Sequence, residues 1–279
     1  MANLIIGSNG RFARAFSQVL SSFGEVKSIS FLDFKGKGLE SIEKGFLQNC
    51  ANVIWTLGPG TSRAAERSEE IQTLEQFQVE LKNLGAALPH FVYLSSGGAM
   101  YGNNPGVVNE RAAILPVGIH GQKKYLCEKY IEDNFLSFFS RVSVLRVANA
   151  YALDSFDGQY GLIDSLFASI KGGKPVSINV DLNSSRQYGS HKNYAEFIFG
   201  NFIRNGEESE GLRVSNVASS QILTVGEVIS IFQEFYRDRI KFEVMGGAID
   251  SVVLKSEFKP AFEFRWTSLR ESLRTVSMA

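Results

Sequence analysis

At 279 residues the chain is long enough to bury roughly three-quarters of its unfolded surface, so it needs no disulfide or metal staple. Basic and acidic residues balance at 29 each, which removes net charge as a reason to invoke nucleic acid or a membrane surface as partner. Cys50 and Cys127 lack any paired Cys/His spacing; with no basic leader and no run of about 18 apolar residues, the expectation is a cytoplasmic protein without a metal.

In chain order, short apolar runs at Leu4–Ile6, Val26–Ile29, Val53–Leu57, Phe91–Ser95 and Val142–Val147 predict buried strands. Between them Arg11–Ser22, Ala64–Ala87 and Gly118–Phe138 carry apolar residues at three- and four-residue spacing, the period of helices. This alternation predicts a parallel sheet with helices on both faces. Phe31 to Asn52 is short for a full β-α unit, so one strand is expected to be lost or merged there. Beyond Tyr151 the rhythm loosens. A helix is expected at Leu162–Lys171, closed by Gly172-Gly173, then a strand at Val176–Val180, a polar loop at Asp181–Arg186 and a helix at Asn193–Arg204. Leu212–Val217 reads as a strand. Thr224 is placed to cap a helix over Val225–Tyr236, with Glu227 completing a capping box. The expected organisation is a main domain over 1–150, to which 176–205 partly return, and a smaller lobe formed mainly by 151–279.

Gly7-Ser8-Asn9-Gly10-Arg11-Phe12-Ala13 lies between the first strand and the first helix, the context in which a glycine loop binds a dinucleotide. Gly7 allows the tight turn, and Gly10 admits a diphosphate at the helix N-terminus. Ala13 replaces the third glycine with the smallest alternative. The fold expected is therefore a doubly wound α/β Rossmann sheet with a smaller C-terminal substrate-binding lobe. Gly7, Asn9, Gly10, Arg11 and Phe12, with Leu57 and Gly58 after the third strand, are the expected contacts to NAD or NADP. No clean acid ends the second strand; Ser30 stands there, and with Arg11 it gives a weak lean toward NADP.

Further along, Phe91-Val92-Tyr93-Leu94-Ser95-Ser96 leads through Gly97-Gly98-Ala99-Met100 to Tyr101-Gly102, Leu145-Arg146-Val147-Ala148-Asn149-Ala150-Tyr151 follows, and Arg186-Gln187-Tyr188 comes later. Together with Asn216-Val217-Ala218 and Trp266-Thr267-Ser268-Leu269, this order resembles the extended short-chain dehydrogenases/reductases, in particular the NAD-dependent epimerase/dehydratase family acting on nucleotide sugars. The resemblance implies a nucleotide-sugar substrate contacted by Tyr101, Asn149 and Arg186, the arginine at the substrate diphosphate. It also implies a Tyr-x-x-x-Lys pair with a hydroxyl residue upstream. Two registers compete for that pair. One uses Tyr125 and Lys129. The other aligns Pro116, Gly121, Lys124 and Glu128 with the family and puts His120 where its tyrosine stands; this is the favoured reading. The upstream hydroxyl position is then Gly97, and Ser96 is the nearest surviving hydroxyl.

The implied function is an NAD(P)-dependent epimerase or ketoreductase in polysaccharide or glycan precursor synthesis. It transfers a hydride at a ring carbon with His120, Lys124 and Ser96 as catalytic group, and Lys124 also holds the cofactor. The alternative is a catalytically silent dinucleotide- or sugar-nucleotide-binding protein on the same fold. Dimerisation through the two long helices is implied as well, although Leu74, Phe77, Leu81 and Leu84 are explained equally by core packing.

Overall fold

The computed structural model describes residues 2–57, 69–102, 106–153, 161–204 and 210–277. Its first half runs β1 (Ala2–Ile6), α1 (Arg11–Leu20), β2 (Val26–Ile29), α2 (Phe31–Lys37), α3 (Lys44–Gln48), β3 (Cys50–Trp55), α4 (Glu69–Leu84) and β4 (Leu88–Ser96). Then come α5 (Gly97–Tyr101), β5 (Gly106–Val108), α6 (Gly118–Asn134), β6 (Phe139–Val147) and β7 (Asn149–Tyr151). The remainder is α7 (Leu162–Gly172), β8 (Val176–Ile178), β9 (Ser185–Ser190), α8 (His191–Ile198) and β10 (Gly211–Val217). It ends with β11 (Ile222–Thr224), α9 (Val225–Tyr236), β12 (Phe242–Val244), β13 (Val252–Leu254) and α10 (Leu269–Ser277).

Six parallel strands form the central sheet in the order β10-β6-β4-β3-β1-β2. The strands are apolar runs because both faces are covered. Leu4 and Ile6, Val53 and Trp55, and Phe91 and Tyr93 enter one core under α4 and α6. Ile5, Ile54 and Val92 point to the other, under α1 and α8. Against the usual doubly wound order 3-2-1-4-5-6, one strand beyond β2 is absent. The short stretch between β2 and β3 forms α2, one 3-10 turn and α3 instead, and Phe34, Leu39, Phe46 and Leu47 lay its apolar side on the sheet. The strand expected to be missing is this one, and β2 is left as the edge.

The second lobe is interleaved with the first. β10 pairs with β6 in the central sheet, and α8 returns to pack Tyr194, Ala195 and Ile198 into the core beneath α1. A third core, with Leu166, Val228 and Phe232, joins α7 and α9. The capping box at Thr224 and Glu227 is present, each side chain satisfying the other's backbone N–H. Leu74, Phe77 and Leu81, offered by the sequence to a dimer face, are fully buried in the central core, whereas Leu84 is exposed. Intrachain packing thus accounts for three of the four. Among the described residues no helix is long and apolar enough to cross a membrane.

Candidate active site

The chain leaves β1 toward β2 on one side of the sheet and then crosses to β3 on the other, so a crevice opens at the carboxyl ends of β1 and β3. Gly7 turns there with φ of +107°. A Cβ at that position would lie 2.8 Å from Thr56 Oγ1, so glycine alone closes this turn. Gly10 donates to the Gly7 carbonyl at 2.9 Å and precedes α1 without any side-chain cap. A helix N-terminus without a side-chain cap is suited to an anion. Ala13 is fully buried beneath the helix, where a larger side chain would lift α1 from the sheet. The glycine turn and uncapped helix fit a dinucleotide diphosphate.

Beyond this turn the crevice widens into a cavity of about 750 Å³ lined by Phe12, Leu57, Ser96, His120, Lys124, Asn149 and Arg186, among others. These seven, all singled out from sequence, thus meet in one place. His120 lies on the first turn of α6 with its ring open to the cavity. Desolvation, then the Lys124 and Lys123 ammonium groups, hold its pKa down to about 4, so the imidazole is neutral near pH 7. Lys124, one turn later, is buried. Its Nζ donates to Glu70 Oε1 at 2.9 Å, the Leu94 carbonyl at 3.0 Å, and the Leu57 carbonyl and Tyr93 hydroxyl at 3.1 Å each. Tyr125 is only part-buried and packs against the α1-side core, and Lys129 is exposed and paired with Glu132 at 2.6 Å. Neither lines the cavity.

The place of the upstream hydroxyl is taken. A Cβ at Gly97 would meet the end of the Leu254 side chain, so that side chain, carried by β13, fills the space a serine would need. Gln187 holds that strand in position: its Nε2 donates to the Leu254 carbonyl at 3.1 Å and its Oε1 accepts the Leu254 N–H at 2.7 Å. Ser96 remains at the end of β4, on the cavity wall.

Three expected residues are placed otherwise. Tyr101 is fully buried and lies off the cavity wall. Its hydroxyl donates to Asn216 at 2.9 Å and accepts from Arg146 at 2.8 Å, while Arg146 forms a buried ion pair with Glu128 at 2.7 Å. It braces the sheet end, which corrects the substrate contact expected of it. Ser30 caps α2 by accepting the Asp33 N–H at 3.1 Å, and Arg11 pairs with Asp164 of α7 at 2.7 Å. Both residues behind the NADP lean therefore hold protein partners. Asn149 donates to the Gln187 carbonyl at 3.2 Å, and Arg186 pairs with Asp250 at 2.7 Å. Gly58 lies outside the described residues.

Glu70, Tyr93, Asp164 and Asp250 were not expected at the site. Glu70 carries no local signal, since it meets Lys124 across 54 residues of sequence.

Comparison with known proteins agrees with this geometry. The fold superposes over its whole length on a UDP-glucose 4-epimerase from Thermotoga maritima solved with UDP-glucose (TM-score 0.75, 19% identity, 98% of that chain). It does so equally on a Thermus thermophilus UDP-glucose 4-epimerase in complex with NAD (TM-score 0.75, 17% identity, 98% of that chain). A putative epimerase from Burkholderia cenocepacia gives a TM-score of 0.76 at 14% identity, covering 100% of this chain and 98% of that one. In sequence, the Escherichia coli dTDP-4-dehydro-6-deoxyglucose reductase is 24% identical over 143 residues, 51% of this chain. The chain spans only 44% of that relative's length. The profile of the NAD dependent epimerase/dehydratase family matches residues 35–218, about two-thirds of the chain and all of the cavity wall from β3 to β10, and on that match the chain belongs to this family.

Proposed function

We propose that the chain is an NAD-dependent epimerase or ketoreductase of nucleotide sugars in which His120 moves the proton. The observation that carries this reading is the meeting of His120, Lys124 and Ser96 in one cavity with Phe12, Leu57 and Asn149. Gly7, Asn9, Gly10 and the first turn of α1 would hold the cofactor diphosphate, with Leu57 on the cavity wall beyond them. When bound, the dinucleotide supplies or takes up the hydride. Arg186 lines the cavity, and its guanidinium fork would have to exchange Asp250 for the substrate diphosphate. A neutral imidazole at His120 would give its N–H proton to the alkoxide formed by reduction while its other nitrogen takes a proton from water, so the ring ends neutral. Reduction asks less of this site than epimerisation, because no substrate alcohol has to be deprotonated first.

NAD is the cofactor we favour, because Ser30 is engaged in capping and Arg11 in its pair with Asp164. Assembly as a homodimer and a place in glycan precursor synthesis belong to the same reading. A second reading, a silent sugar-nucleotide-binding protein, draws on the closure of the Gly97 position by Leu254. The two separate in one assay: purified protein is given 4-keto nucleotide sugars with NADH or NADPH, and absorbance is followed at the reduced nicotinamide band. Turnover that falls about 100-fold in His120→Ala, with cofactor binding retained, is the expected result. Full activity in that variant would exclude His120 as proton donor. Retained cofactor binding without turnover on any sugar nucleotide would leave the silent reading.

A further inference from the structure

Lys124 has more acceptors than protons. An ammonium carries three N–H donors, and here four oxygens stand within 3.1 Å of Nζ. The same nitrogen lies 4.6 Å from the centroid of the Tyr93 ring. No donor is left over for a ligand hydroxyl in the cavity. Among the four acceptors only Glu70 is a carboxylate, and charge-assisted bonds are about twice as strong as neutral ones.

Glu70 is committed to this contact. Its side chain has no solvent exposure, Oε1 also accepts the Tyr93 hydroxyl at 3.1 Å, and Oε2 has no hydrogen-bond partner among the described residues. It sits in the first turn of α4. A carboxylate so enclosed has Lys124 as its counter-charge, and separating a buried pair leaves an uncompensated charge on each side. The carboxylate thus pulls the ammonium toward the interior, although Lys124 lines the cavity where the cofactor is proposed to bind.

We infer that Glu70 is a positioning residue that competes with the dinucleotide for Lys124, holding the ammonium back from the cavity and thereby setting the affinity for cofactor. The inference rests on the dinucleotide-binding reading above. Glu70→Gln keeps the shape but removes the charge, and Lys124 is then free to turn one N–H toward a bound ligand. A gain of one such hydrogen bond corresponds to about tenfold in affinity.

Titration calorimetry with NAD+ and with NADP+ tests this on the full chain, with no need for turnover. Glu70→Gln is expected to bind cofactor about tenfold more tightly than wild type, and Glu70→Gln combined with Lys124→Met should lose that gain. The double variant separates a released Lys124 from a general effect of removing one negative charge, which would persist without the lysine. Should Glu70→Gln fail to fold, Glu70→Asp provides the same reading, because withdrawing the carboxylate by one methylene also frees Nζ. A merely structural Glu70 predicts unchanged or weaker binding in the variants, and that result overturns the inference. A gain that survives Lys124→Met overturns it as well. If wild type and variants all fail to bind either dinucleotide, the cofactor reading falls and this inference with it.

Discussion

His90 and His120 stand at opposite ends of the same fold, and both are held neutral. His90 is the third residue of β4, at the foot of the sheet, and is fully buried. Its ring nitrogens contact Asn52 Oδ1 at 3.0 Å and Ser143 Oγ at 2.9 Å, and Asn52 continues the chain of polar contacts to Asn3. Burial first, then the neighbouring Arg141, push its pKa down to about 3. His120 is lowered to about 4 by desolvation and two lysines, yet its ring faces the cavity. The direction of the shift is shared, so a depressed pKa cannot by itself mark a working residue. What separates the two is position: one joins strands at their amino ends, and the other lies at the carboxyl ends where doubly wound sheets bind ligands.

The largest effect expected from this contrast is on stability. His90→Ala removes a side chain with three polar neighbours, leaving Asn52 and Ser143 short of partners and opening a cavity. A loss of about 3 kcal/mol is expected, from the cost of unmade buried hydrogen bonds plus the void. His120→Ala should cost less than about 0.5 kcal/mol, as for exposed positions generally. Urea unfolding of both variants checks the pair. Equal losses would mean that His120 is a structural residue like His90.

The same contrast explains what was legible in the sequence. The strands, α1, the capping box at Thr224 and the missing strand after β2 are all written in local patterns of apolar spacing, caps and segment length. The cavity members His120, Lys124, Ser96, Asn149 and Arg186 were reached through motif order. Tyr101 was misplaced because motif order gives a neighbourhood and no direction: the ring turns inward to Arg146 and Asn216, the latter 115 residues away. Glu70 and Asp164 were invisible for a related reason. Each is an ordinary acid in the first turn of a helix, and its significance comes from a cation brought to it by the fold.

Acid stability sharpens the comparison further. His90 takes up its proton near pH 3 when folded and at its ordinary 6.5 when unfolded. Between those values the unfolded chain binds more protons, so stability rises with pH at up to about 1.4 kcal/mol per unit. His120 adds a smaller contribution of the same sign, discounted because its ring is open to solvent. Asp164 acts oppositely. Burial outweighs its bonds from Ala152 and Arg11 and raises its pKa from 3.8 to about 6, so between those values the folded state holds the extra proton and stability falls as pH rises. From about pH 4 to 6 the terms partly cancel. Asp164→Asn removes the opposing one, and the difference in unfolding free energy between pH 4.5 and pH 6 should grow by about 1–2 kcal/mol. An unchanged difference would mean that Asp164 titrates as an ordinary carboxylate.

The smallest expected effect concerns the edge of the sheet, where Ser30 follows β2. In sequence this serine can be read as a place for a cofactor phosphate. In the fold it accepts the Asp33 N–H and starts α2, the helix that takes the space of the absent strand. Losing a serine cap costs about 1 kcal/mol, so Ser30→Ala should lower the unfolding free energy by that amount. Its ratio of NAD+ to NADP+ affinity should stay within about twofold of wild type, well below the effect of one lost charge-assisted hydrogen bond. A selective loss of NADP+ binding with unchanged stability would reverse the assignment and return Ser30 to the cofactor.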